Sequence, residues 1–240
     1  ALDIHLLAEL ADRLTSREKG KRDELLTSEN RRAALRLIRV GSSAGGARSK
    51  ALVARAPDGR LFDGSTDHGP DFTYWIVKFD TESNSDRDRI DPKGMPKIEY
   101  IYSQIARACE IEMPRTDFIA EGKEFHFLVE RFDRFADDDR MNKLHYGSWA
   151  GLAHADRDPV GTHSYEQLVL LARQLGLGQD AVTQIFRRAV FNVVGRNQDD
   201  HTKNFGFLMD KAGKWSLAPA FDMSYQWDPA GKWTSAHQTR

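Results

Sequence analysis

The chain has 240 residues, 40% of them hydrophobic, with thirteen Phe and five Trp to fill a core, and a formal net charge of −1. That length allows one large domain or two small lobes, and the near-zero charge excludes a broad electrostatic footprint for nucleic acid or anionic membrane, leaving room only for a local basic patch. One cysteine excludes an internal disulfide and fits a reducing compartment; with no run of eighteen apolar residues and no signal-peptide pattern, a soluble, cytoplasmic protein with no membrane partner is expected.

In chain order, the apolar residues Leu2, Ile4, Leu6, Leu7, Leu10, Ala11 and Leu14 recur at roughly helical spacing. Residues 16–33 are strongly charged and read as a solvated loop and helix face. A short strand is expected over 34–40, then a glycine-rich turn over 41–50, then a strand over 51–54 with Asp58-Gly59 as a hairpin turn. Residues 62–71 read as loop. Residues 74–79 form a compact strand that contains Lys78, and 80–96, with Pro92, Gly94 and Pro96, read as loop. A helix follows over 97–109, with Cys109 in its apolar pattern and therefore expected to be a buried thiol. Residues 118–120 and 125–129 flank Glu121-Gly122-Lys123 as a hairpin, and 135–162 read as a connector.

After residue 163 the pattern turns helical. Ser164 can cap a helix through Leu168, Leu170, Leu171 and Leu175 that Gly176 and Gly178 end, and Asp180 can cap the next. There, Val182, Ile185, Phe186, Ala189, Val190, Val193 and Val194 make one wide apolar stripe. Residues 205–208 and 215–217, joined by Asp210-Lys211-Ala212-Gly213, read as a last hairpin. Strands first and helices second give an α+β chain on a bilobal, protein-kinase-like plan, with a strand-rich N-lobe and a helix-rich C-lobe. The expected divisions are a helical segment over 1–33, an N-lobe over 34–134 and a C-lobe over 135–240. Both ends look cut, so the C-lobe is expected to be truncated.

The densest chemistry lies in Asn197-Gln198-Asp199-Asp200-His201-Thr202-Lys203-Asn204 and, beyond the hairpin, in Asp222. Asp199 and Asn204 have the spacing of a kinase catalytic loop. A carboxylate there can accept the proton of an attacking hydroxyl. A carboxamide oxygen a few residues on can hold a metal beside phosphates, and Asp222 supplies the second ligand that a magnesium site needs. Lys203 can offset charge on the transferring group, and His201 can shape the loop. The plain alternative is a surface loop of turn formers capping local backbone.

Upstream, Gly45 and Gly46 let a backbone approach phosphates closely, although neither a Walker motif nor Gly-x-Gly-x-x-Gly is present; a flexible hairpin is the alternative. Ser42, Ser43 and Ser49 are hydroxyls placed to become phosphoacceptors. Lys78, in an apolar strand, needs a counterion or must snorkel; it fits a lysine for α/β-phosphates, with Glu99 as a candidate partner. Val129-Glu130-Arg131-Phe132-Asp133-Arg134 is an extended segment whose backbone can meet an adenine edge.

Together Gly-Ser-Ser-Ala-Gly-Gly-Ala-Arg-Ser-Lys (41–50), Val-Glu-Arg-Phe-Asp-Arg (129–134), Asn-Gln-Asp-Asp-His-Thr-Lys-Asn-Phe-Gly-Phe-Leu (197–208) and Ala-Pro-Ala-Phe-Asp-Met (218–223) resemble the HipA-like serine/threonine kinase toxins, from about residue 34 onward. That resemblance implies a bacterial toxin kinase using ATP and Mg2+, acting on a protein such as an aminoacyl-tRNA synthetase. It also implies a helix-turn-helix antitoxin as partner, with DNA reached only through it. It makes Asp199 catalytic with Lys203, and Asn204 and Asp222 the metal ligands. The implied nucleotide contacts are Ser43, Ala44, Gly45, Gly46, Ala47, Lys50, Lys78, Glu130, Phe132, His201, Lys203 and Asn204, with the backbone of Glu130 and Phe132 meeting adenine. Ser43, with Ser42 as neighbour, is the implied autophosphorylation site. Asp200 departs from the family pattern and leaves the choice of base between Asp199 and Asp200 open. A non-catalytic nucleotide- or antitoxin-binding co-repressor, or a small-molecule kinase of aminoglycoside type, are the competing readings.

Overall fold

The structure is a computed structural model that describes residues 1–15, 49–81, 93–137, 140–156, 161–226, 237 and 239. The expected strand over 34–40 and the loop residues Ser42, Ser43, Ala44, Gly45, Gly46 and Ala47 lie outside the described residues. The chain divides into two compact units, Ala1–Tyr100 with Arg115–Asn142, and Ile101–Pro114 with Lys143–Arg240.

The first unit is built on a five-stranded antiparallel sheet of order β2-β1-β3-β5-β4, formed by β1 (Lys50–Arg55), β2 (Leu61–Asp63), β3 (Thr73–Lys78), β4 (Thr116–Glu121) and β5 (Glu124–Glu130). β-branched and aromatic residues dominate β3, and Phe125, Phe127 and Val129 alternate along β5, as a pleated, covered surface favours. Helix α1 (Ile4–Thr15) starts where Asp3 accepts hydrogen bonds from the backbone of His5 and Leu6 through Oδ1, at 2.9 and 3.3 Å. It lays Leu7, Leu10 and Ala11 on Ala51, Val53, Trp75, Val77 and Leu128. The alternate residues of the same strands, Lys50 and Lys78 among them, therefore face the other side of the sheet. Helix α2 (Met95–Ala108) begins in this unit and crosses into the second after Tyr100.

The second unit combines a three-stranded sheet of order β10-β9-β8 with helices α4 (Tyr165–Gln174) and α5 (Gln179–Val194). Its strands are β8 (His145–Ser148), β9 (Gly206–Met209) and β10 (Trp215–Leu217). Trp149, Leu168, Ala172, Ile185, Phe205 and Phe207 make one buried cluster, and Ala106, Ile111, Phe191, Ala220 and Met223 another. No helix among the described residues is long and apolar enough to cross a membrane.

Several sequence-based expectations change. The segment 135–162 holds β6 (Arg134–Asp137) paired with β7 (Arg140–Lys143), then β8 and the one-turn α3 (Trp149–Leu152), which Ser148 caps by accepting from Gly151 N at 3.1 Å. These elements are too short and polar to show a period. The 62–71 loop begins with β2, and Gly178, not Asp180, caps α5; Asp180 lies in its first turn. Cys109 is exposed. It lies just past α2, where the chain turns at Glu110 (φ 57°) and buries Ala106 and Ile111 instead. The apolar stripe of α5 is wider than its covered face: Ile185 and Phe191 are buried, whereas Phe186, Val190, Val193 and Val194 are exposed.

Gly206 opens β9 directly after the chemistry-bearing loop, and a Cβ there would stand 2.3 Å from the Tyr146 ring. Because that ring is rigid, Gly206→Ala is expected to cost about 1–3 kcal/mol, the range for overpacking a filled site. A lower urea midpoint at unchanged slope would show it.

Candidate functional site

The second unit positions the Asp199–Asn204 loop between α5 and β9. The loop closes on itself: Asn204 Nδ2 donates to the Asp199 carbonyl at 2.6 Å, and Asn204 N donates to His201 O at 2.9 Å. With its amide nitrogen so committed, the carboxamide oxygen of Asn204 is the atom of that side chain that can serve a hard cation. His201 is buried, with Nε2 3.6 Å from Asp199 Oδ1. Lys203 is exposed.

Two adjacent carboxylates have different environments. Asp200 is 1% exposed and accepts from Tyr165 Oη at 2.9 Å and from Thr239 N at 3.4 Å, with His237 Nδ1 at 3.2 Å. Thr239 Oγ1 also donates to its backbone carbonyl. Burial and the Asp200 charge together push the Tyr165 hydroxyl far up, so it remains a neutral donor. The Asp199 side chain retains 18% exposure, so of the two it is the one an incoming group can reach.

Asp222 adopts φ 54°, a left-handed conformation uncommon for a residue with a Cβ. Asn197 Nδ2 reaches the Asp222 carbonyl at 3.5 Å and donates to Asn192 Oδ1 at 2.9 Å, while Asn192 Nδ2 donates to Tyr165 Oη at 3.1 Å. A continuous polar chain thus runs from Asp222 to Asp200. Arg188, fully buried, donates to Ala218 O at 2.9 Å, and burial lowers its guanidinium to about 10 against the pull of Glu112, which leaves it charged at neutral pH. Asn204 and Phe221 line one small pocket with Arg188, Asn192, Asn197 and Asp200. The donor set fits magnesium, which is satisfied by one or two side-chain oxygens plus water and phosphate; among the described residues no group of three or more His, Cys, Asp or Glu is placed to hold a metal ion.

In the first unit, Lys78 Nζ lies 2.5 Å from Glu99 Oε1, with both side chains about nine-tenths buried. Lys50 is paired directly opposite Lys78 across β1 and β3, so two ammonium groups occupy one face of the sheet, where an anion is electrostatically welcome. The 129–134 segment is pinned. Glu130 N donates to Arg115 O at 2.9 Å, and Arg131 N donates to Tyr74 O at 2.7 Å. Arg131 grips Asp133 with Nε at 3.0 Å and Nη2 at 2.8 Å, and Arg134 Nη1 adds a third bond at 2.6 Å. The Glu130 side chain shares the face of Trp75, its cross-strand partner, away from Lys78; burial pushes its carboxyl up against the pull of Arg115 and Arg55. Phe132 is half-buried.

Burial alone would raise the Asp133 carboxyl, but the Arg131 hydrogen bonds and the charges of Arg131 and Arg134 outweigh it and hold it below the usual carboxylate range. A depressed folded value contributes stability that is complete above the unfolded value, about 3.9, and is lost as pH falls through the folded one. Asp133→Asn is therefore expected to flatten the loss of stability as pH falls below about 4, read as urea midpoints against pH.

Residues 42–240 match the family model of the HipA-like C-terminal domain. The chain belongs to this family. A candidate kinase of Haemophilus influenzae is 32% identical over 111 residues, which are 42% of this chain and 31% of that protein. The Shewanella oneidensis MR-1 toxin HipA, solved with HipB and its operator DNA, superposes with a TM-score of 0.58 at 22% identity, over 75% of this chain and 43% of that one. The Helicobacter pylori proinflammatory kinase CtkA gives 0.47 at 16% identity, over 63% of this chain and 50% of its own. The chain spans about a third of the curated relative and under half of the HipA chain.

Within this HipA-like chain the roles of Asn192, Arg188, Tyr165 and Asp80 are not marked by any motif. One signal was present. Gln184, Arg188 and Asn192 recur every four residues along α5, within its apolar pattern, and all three are buried. A polar stripe at helical spacing inside an apolar pattern marks a helix that organises loops: Gln184 Nε2 donates to Glu110 O and its Oε1 accepts from Glu112 N, while Arg188 and Asn192 serve the segments around Ala218 and Tyr165. Tyr165 and Asp80 carried no local pattern.

Proposed function

We propose that this chain is the core of an ATP- and Mg2+-dependent serine/threonine protein kinase that acts as the toxin of a toxin–antitoxin pair. The observation that carries the reading is the contrast at the loop: a reachable Asp199 beside a buried, fully engaged Asp200, with the Asn204 amide nitrogen bound to the Asp199 carbonyl. Asp199 accepts the proton of the substrate hydroxyl as that oxygen bonds to the γ-phosphorus, and the bond to the β-phosphate oxygen breaks to release ADP. Asn204 and Asp222 would hold the magnesium, which neutralises charge on the phosphates when bound. Lys203 offsets charge on the transferring group. Lys50 and Lys78, the latter oriented by Glu99, hold the nucleotide phosphates together with His201 and the loop Ser43, Ala44, Gly45, Gly46 and Ala47. The backbone at Glu130 and Phe132 meets adenine.

The family and the fold shared with HipA support a helix-turn-helix antitoxin of HipB type as partner, with DNA contacted through it. An aminoacyl-tRNA synthetase is the proposed kind of substrate, and Ser43 or Ser42 the site of autophosphorylation. The test is the full-length protein with labelled ATP and a cell lysate. Label on a protein of the translation apparatus and an added 80 Da on Ser42 or Ser43 are expected. Label confined to small metabolites would point to a small-molecule kinase, and no transfer at all to a binding module.

A further inference from the structure

Asp80 lies two residues beyond Lys78, at the end of β3, and is 4% exposed. Its carboxylate is divided between two other elements. Oδ1 accepts from Gly94 N at 2.7 Å, and Oδ2 accepts from Phe125 N, at the start of β5, at 3.2 Å. Its own N–H donates to Nδ1 of the buried His126 at 3.2 Å. Gly94 is the entry to α2: its carbonyl accepts the first helical bond, from Ile98 N at 3.1 Å, and its φ is 92°. Helix α2 has no acidic residue in its own first turn, so the anion that its amino end favours comes from Asp80, on another element.

The consequence is a closed circuit within the first unit. Lys78 is the last residue of β3, and Asp80 follows it two residues on. Asp80 holds Gly94, Gly94 leads through about one and a half helical turns to Glu99, and Glu99 meets Lys78 at 2.5 Å. A helix held only by its packed face can slide or rotate by an ångström. One tied at its first residue to the strand that carries the lysine cannot do so without breaking a buried charge-assisted hydrogen bond. We propose that Asp80 is a positioning residue that sets the register of α2 and so keeps Glu99 on Lys78. The inference rests on the kinase reading of Lys78 for its functional meaning, but the geometry it asserts exists without nucleotide.

The test therefore has two arms, both on the full-length protein. In the first, without nucleotide, Lys78 acetylation by a small acylating reagent is followed by mass spectrometry, with Lys50 as an internal reference for general opening of the sheet. Asp80→Asn is expected to speed labelling of Lys78 about tenfold and leave Lys50 unchanged. Glu99→Gln should do the same, and the double variant no more than either alone. In the second arm, the affinity for a fluorescent ATP analogue with Mg2+ is expected to fall about tenfold in each single variant, again without further loss in the double, as two residues acting through one contact require. Asp80→Glu, which keeps the carboxylate, should recover part of both effects and guards against a poorly folded Asn variant. Unchanged Lys78 labelling in Asp80→Asn, or effects that add in the double variant, would overturn the proposal. Wild-type protein that shows the labelling pattern but binds no ATP analogue would instead overturn the kinase reading and leave the positioning role standing.

Discussion

Asp199→Asn is expected to lower phosphoryl transfer by about 10²–10⁴-fold, the usual share of a general base, with little change in thermal stability. The side chain is partly exposed and the loop's closing bond is made by the Asp199 backbone carbonyl, which the substitution keeps. Asp200→Ala should behave in the opposite way. It strands the hydroxyl of Tyr165 and the backbone N–H of Thr239, at about 1–3 kcal/mol for each buried group left unsatisfied. The chain should thus lose stability in proportion to that network. Single-turnover transfer of labelled phosphate, beside a urea titration of each variant, separates the two. Two neighbouring carboxylates that traded these phenotypes would disprove the assignment of the base.

The second large effect is at the buried ion pair. Lys78→Ala or Glu99→Ala removes one member of a pair whose side chains are 11% and 8% exposed, leaving the other charge buried alone, at an expected cost of about 3–5 kcal/mol. Lys78→Met with Glu99→Leu should recover most of that stability, since a buried pair is often no better than apolar residues of similar volume. Activity should remain lost in the double variant, because the ammonium group for the phosphates is gone. Recovery of stability without recovery of ATP binding is the expected signature. Recovery of both would show that Lys78 serves only the fold.

The turn at Gly59, the strand pairings around Gly122 and Gly213, the helix at Ser164 and the long helix before residue 195 were legible because each rests on a local period or a turn residue whose backbone demand is specific; all three glycines adopt positive φ. The Asp199–Asn204 loop and Lys78 were legible for a related reason: charged groups next to apolar runs need a partner or a purpose. The strands of 134–148 left no mark, being four residues long and half polar. Cys109 was misjudged because helical spacing says which face a residue is on, while exposure depends on where the helix stops.

Glu99 shows the division most clearly. The sequence by itself placed a glutamate on a helix after a lysine-bearing strand, and could equally have left it in solvent. It also placed two carboxylates side by side at 199 and 200 with nothing local to tell them apart. Only the tertiary structure decided these points, because the deciding partners are remote in the chain: Lys78 for Glu99, Tyr165 and Thr239 for Asp200. Patterns of three to four residues report the backbone a segment will adopt. Burial and pairing of a charge depend on what folds against it, and that is set by packing across the whole unit.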